Sequence, residues 1–146
     1  MSTSWTLLSC CLVASALSAS AQNRKPGLWE VTSTQSSSST STVCLTQQLI
    51  DKYGAPLPQL AGCKLKSFDK KGNSITGEMA CSGTMVGKLL LESTTTDPEH
   101  AKGKIHFIGT LQDGANTRPI EWTITSTSVF KASSCGNVKP FPMPEK

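Results

Sequence analysis

The chain has 146 residues, a formal net charge of +4, 16% charged and 5% aromatic side chains, and six cysteines. So small an excess of positive charge gives no electrostatic footprint for nucleic acid, and the densest basic run, Lys64, Lys66, Lys70 and Lys71, has only Phe68 interleaved as an aromatic, so nucleic acid is excluded as a partner. Strand and helix patterns never alternate as βαβ units, which excludes a parallel sheet.

Met1 to Ala21 carries no charged side chain, is apolar from Leu7 to Leu17, ends in Ala19-Ser20-Ala21, and gives way at once to the polar segment Gln22 to Lys25. This pattern predicts a secretory signal peptide over residues 1–21, cleaved before Gln22 and too short to span a bilayer. A buried helix is the rival reading, and the small-x-small cleavage motif argues against it. Lipid anchoring at Cys10 is disfavoured because Leu8 is large where a small residue is usual and no basic residue precedes the apolar run. No other stretch is apolar enough to cross a membrane as a helix, so no transmembrane anchor is expected. The remaining residues, about 125, make one domain, assigned to 22–138 and followed by a Pro-rich tail at 139–146. The predicted location is periplasmic or secreted.

In chain order, Leu28-Trp29-Glu30-Val31-Thr32 alternates as a strand, and Val43-Cys44-Leu45 resumes that pattern after a Ser/Thr run, so two strands join across a Ser-rich tip. Thr46 caps the one expected helix, Gln47 to Tyr53, with Leu49, Ile50 and Tyr53 as its apolar stripe and Gly54 as its stop. Beyond Cys63 the period is two. Leu65 and Phe68 face inward, Lys71-Gly72-Asn73 turns, and Ile75, Gly77, Met79 and Cys81 line one side of the next strand. Lys88 to Thr96 is a strand closed by Asp97-Pro98, and Gly103 is expected to open the next. There Ile105, Phe107, Gly109 and Leu111 face inward, followed by a hairpin turn at Asp113-Gly114 and a last strand with Ile120, Trp122 and Ile124 inward. The tail from Lys139 to Pro144 cannot donate a regular ladder and is expected to be extended. The fold class expected is mainly β: a curved antiparallel meander or partial barrel of roughly six to eight strands with one short helix, stapled by two disulfides.

Cys10 and Cys11 leave with the leader; Cys44, Cys63, Cys81 and Cys135 form an even set in an exported chain, the signature of a disulfide framework. Zinc is disfavoured because no two of them are close enough to form a C-x-x-C pair. The pairing expected is Cys44 to Cys63, closing a loop around the helix, and Cys81 to Cys135, tying a middle strand to the end of the last.

Lys25-Pro26-Gly27-Leu28-Trp29-Glu30-Val31, then Val43-Cys44-Leu45-Thr46 opening a short helix, then three more cysteines with the last followed by glycine, resembles the DUF3617 family of small bacterial periplasmic proteins. The resemblance covers nearly all of the chain beyond the leader. Phe130-Lys131-Ala132-Ser133-Ser134 stands where the family typically has an aromatic-rich strand before its last cysteine. The resemblance implies a periplasmic location and a curved antiparallel sheet, and no activity.

Catalytic constellations were sought along the chain. His106 is expected on the outward face of its strand, and His100 in the polar turn with Asp97 and Glu99. No G-x-S-x-G elbow occurs, and the disulfides claim the thiols, so no nucleophile is evident. Gly83 to Lys88 falls one residue short of a phosphate loop, with Leu89 where a Ser or Thr must reach magnesium. Glu30, Glu78, Glu92 and Glu121 lie on separate strands. The expectation is therefore a non-catalytic binding or interaction module without a cofactor, whose partner is an apolar small molecule or another envelope protein. Trp29, Trp122, Phe107 and Tyr53 are the candidates to line its site, with core packing as their competing role. The other readings are an accessory envelope protein without a small ligand, and an enzyme with a site assembled from strands.

Overall fold

A computed structural model describes residues 23–144. The expected signal peptide, its expected cleavage point before Gln22 and Cys10 lie outside the described residues.

Seven strands form one open, wholly antiparallel sheet. They are β1 (Gly27–Thr34), β2 (Ser38–Leu45), β3 (Cys63–Lys71), β4 (Ser74–Cys81), β5 (Met85–Asp97), β6 (His100–Asp113) and β7 (Asn116–Ala132), with helix α1 (Gln47–Tyr53) between β2 and β3. The spatial order is β2-β1-β7-β6-β5-β4-β3. Five strands make the expected meander, and the β1–β2 hairpin adds to its β7 side. The chain between β2 and β3 therefore travels from one edge of the sheet to the other, and α1 rides on that crossing. It is the one connection able to cover the inner face.

Local chemistry explains each device. Thr46 Oγ1 accepts the Leu49 amide at 3.2 Å and Gly54 ends α1 at φ 71°. A side chain at Gly54 would in addition place its Cβ 2.8 Å from Ile75 Cδ1. The period-two pattern sorts the faces as expected: Leu89 and Leu91 are buried while Leu90 is exposed, and Phe107 is buried while Ile108 is exposed. Two differences from the expected punctuation are local. The turn after β5 needs only Pro98 and Glu99, because the Lys25 amide donates to Pro98 O and the Phe130 amide to Glu99 O, so β6 starts at His100 rather than Gly103. The β6–β7 hairpin turns on Gly114-Ala115, Asp113 being paired with Asn116.

The core forms two clusters on the inner face. One gathers Tyr53, Ala55, Leu57, Ile75, Met79, Leu89, Leu91 and Phe107; the other gathers Trp29, Leu45, Leu49, Ile50 and Ala101. The tail docks along this core: Pro140 bridges to Cys44, the Phe141 amide donates to Cys44 O, and Met143 packs against both clusters.

The disulfides are Cys44–Cys135 and Cys63–Cys81, which overturns the expected pairing. Cys63 and Cys81 face each other across the β3–β4 hairpin. Cys135 follows β7, and β1 alone separates β7 from β2, so the last cysteine lies beside Cys44 despite 91 residues of separation. Two such bonds suit an oxidising compartment. Among the described residues no helix is long and apolar enough to cross a membrane.

Candidate functional site

Of the four aromatic residues expected to line a site, Trp29, Phe107 and Tyr53 are buried in the core and Trp122 packs against it half-buried. Trp29 and Phe107 are both 0% exposed. Trp29 Nε1 donates to Lys25 O at 2.8 Å, and its ring meets Phe130 edge-on with centroids 5.8 Å apart. Tyr53 is buried and packs edge-on against Phe68. Trp122 is half-buried and stacks on Phe107 with centroids 5.5 Å apart and planes 16° from parallel. The structure brings Phe107, Tyr53 and Trp122 into one cluster and leaves Trp29 in the other.

Between the two clusters the inner face is hollow. Gly103 supplies no side chain, Ser93, Ser126 and Ser128 supply small ones, and Ala55, Pro56, Leu57 and Pro58 from the crossing connection lie on the same space. A Cβ at Gly103 would come within 2.7 Å of Ser126 Oγ and would take up space in the hollow. The volume is about 80 Å³, with Val31, Leu57, Leu91 and Ile105 as its larger apolar walls. None of the four predicted aromatics lines it.

One wall is Arg24. Residues ahead of β1 strap across the ends of β7, β6 and β5: the Lys25 amide donates to Pro98 O, Lys25 Nζ pairs with Glu99, and the same ammonium lies over the Phe130 ring. That strap carries the Arg24 side chain inward, where it is 5% exposed. Its Nε donates to Thr95 Oγ1 at 3.3 Å, its Nη2 donates to Ser93 Oγ, and the guanidinium lies 5.6 Å from the Trp29 ring centroid. Among the described residues no carboxylate is in ion-pair range of Arg24. Burial of the cation pushes its pKa down to about 10. The remaining nitrogen, Nη1, makes no hydrogen bond to a side chain or carbonyl among the described residues. Lys102, Lys104 and Glu92 alternate with the inward Gly103, Ile105 and Leu91, so their side chains leave on the outer face and Arg24 is the one charged side chain directed into the hollow among the described residues.

The histidines sit elsewhere. His106 lies on the outer face, its Nδ1 2.8 Å from Thr123 Oγ1 and its Nε2 3.3 Å from Glu121 Oε1. His100 Nδ1 lies 2.9 Å from the Asp97 carboxylate. The Glu99 amide and then His100 hold that carboxyl below its ordinary pKa. Among the described residues no three His, Cys, Asp or Glu side chains group as metal ligands. A larger depression, about 300 Å³, borders the Cys63–Cys81 disulfide, and Lys64 is its one charged residue.

Sequence reasoning missed Arg24. It is one of two arginines in the chain, but it stands in a short polar segment before Pro26, where exposure is the ordinary expectation. Only the strap across the strand ends turns it inward.

Fold and site together define a disulfide-stapled, half-wrapped antiparallel sheet with a small hollow on its covered face, walled on one side by a buried arginine. The model of a family described as a protein of unknown function, DUF3617, matches residues 24–135, and the chain belongs to that family. The matched span begins at the residue that walls the hollow and ends at the cysteine that closes the larger disulfide loop. Neither the curated proteins nor the solved structures contain a match.

Proposed function

We propose that this chain is a non-catalytic binding module of the bacterial envelope that holds a small, largely apolar ligand on the inner face of its sheet. The observation that carries this reading is the hollow between the clusters, which places apolar walls beside a buried cation that has no acidic partner among the described residues. Interiors are packed to near crystalline density, and a gap roofed by one connection and floored by glycine and serines is a place kept open. The leader pattern and the two disulfides support export to an oxidising compartment. The two histidine–carboxylate pairs, His100 with Asp97 in an exposed turn and His106 with Glu121 on the outer face, lie away from the hollow, which supports binding over catalysis there.

Trp122 and Trp29 report on the two ends of the inner face. A lipid extract from a bacterial envelope, titrated into the folded protein, is expected to change tryptophan fluorescence and raise the melting temperature, since a ligand that binds only the folded state stabilises it by mass action. If neither moves with lipid extracts, the small-ligand reading fails and the accessory-protein reading takes its place.

A further inference from the structure

We propose that the ligand is an amphiphilic monocarboxylate, its carboxylate held by Arg24 in the hollow and its hydrocarbon tail laid along the inner row of β7. This rests on the binding reading above and adds the chemistry of the ligand.

The head-group site follows from the unpaired charge. A guanidinium out of water is costly unless a counter-charge joins it, and here its protein contacts are two neutral hydroxyls and one ring face. Carboxylate is the natural complement, because the planar fork of arginine matches its two oxygens. About 80 Å³ accommodates a few water-sized groups, enough for a carboxylate and the first carbons of a chain and too little for a whole lipid. The hydroxyls of Ser126 and Ser128 border the same space and are available as further donors.

The tail path follows from the sheet register. Ile105, a wall of the hollow, pairs with Ile124, and Phe107 pairs with Trp122. From Ser126 the inward positions of β7 run Ile124, Trp122 and Ile120, all of them half-buried, beside fully buried Phe107. At about 3.3 Å per residue the path from Ser126 to Trp122 is about 13 Å long, comparable to an extended chain of roughly ten carbons. Polar head and apolar tail thus have adjoining places on one face.

The test compares decanoate, decanol and inorganic phosphate on the whole exported protein, below the critical micelle concentration, by calorimetry and Trp122 fluorescence. Decanoate is expected to bind at least roughly tenfold more tightly than decanol, the gain of a charge-assisted hydrogen bond in a dry site, and phosphate to bind weakly for want of a tail. Arg24→Met is expected to abolish the preference for decanoate over decanol while the protein still melts cooperatively, because a buried cation without a counter-charge adds little to ligand-free stability. Ser126→Leu, which fills the hollow and leaves Arg24 in place, is expected to weaken decanoate and decanol together. Equal affinity for decanoate and decanol in the unmodified protein overturns the carboxylate assignment and leaves the binding reading intact. Preference retained in Arg24→Met overturns the role of Arg24. Failure of both decanoate and decanol to bind overturns this inference, and if envelope lipid extract is silent as well, the binding reading falls with it.

Discussion

Buried charge and exposed charge play opposite parts in this protein. Arg24 is fixed by the strap from Lys25 to Trp29, and its environment penalises the ionised form. Asp97 is its counterpart nearer water: half-exposed, it accepts the Glu99 amide at 2.8 Å and meets His100, and both contacts favour the carboxylate. A carboxyl whose pKa is lower folded than unfolded contributes stability above its unfolded value, near 3.9, and that contribution is lost as pH falls through the folded value. Carbon-detected NMR titration is accordingly expected to place the Asp97 midpoint below that of an unstructured aspartate. In His100→Ala the midpoint should rise part of the way back, the Glu99 amide remaining. A midpoint at or above the ordinary value in the unmodified protein would contradict the turn geometry.

At the level of elements, the two disulfides do different work. Cys44–Cys135 closes most of the chain and ties edge strand β2 to the segment after β7, whereas Cys63–Cys81 rivets one hairpin. On chain entropy alone the long loop is worth about 4.6 kcal/mol and the short one about 3 kcal/mol. Replacing both Cys44 and Cys135 by serine is therefore expected to lower the denaturation midpoint more than replacing both Cys63 and Cys81. Non-reducing peptide mapping should recover the Cys44–Cys135 and Cys63–Cys81 peptides, and a Cys44–Cys63 peptide would contradict the sheet order.

That sheet order also marks how far the sequence could be read. The helix was legible because Thr46, the Leu49-Ile50-Tyr53 stripe and Gly54 are local signals, and the strand faces because alternation is local too. Cysteine pairing was not, for two physical reasons. The β3–β4 register shifts between Leu65 and Ser67; continued unbroken from Lys71 opposite Ser74, it would set Lys64, not Cys63, opposite Cys81. A bulge of this kind leaves no unambiguous mark in the sequence. The docking of β1 on β7 is likewise a long-range choice, and it alone brings Cys135 to Cys44. The site was hidden for a related reason: large aromatics are conspicuous in a sequence, yet Trp29, Phe107 and Tyr53 build the walls of the core, while the hollow is made by what is small at Gly103, Ser126 and Ser128.

Across the whole molecule, one crossing connection converts an open sheet into a half-covered one. α1 and the Ala55–Pro58 segment close the inner face over β1, β5 and β6, the docked tail adds Phe141 and Met143, and the inner row of β7 from Ile124 to Ile120 stays half-buried. Among the described residues the covered part holds a cation with no carboxylate in ion-pair range and the half-covered part holds an apolar row, the two features on which the proposed amphiphile site rests. The most direct measurement of this claim is a nitrogen–proton NMR titration with decanoate. The account predicts shifts concentrated at Val31, Ser93, Gly103, Ser126 and Ser128, with the Trp122 indole following and the outer-face residues Val86 and Ile108 unmoved. Shifts centred on Leu60 to Lys64, or spread evenly over the outer face, would contradict it.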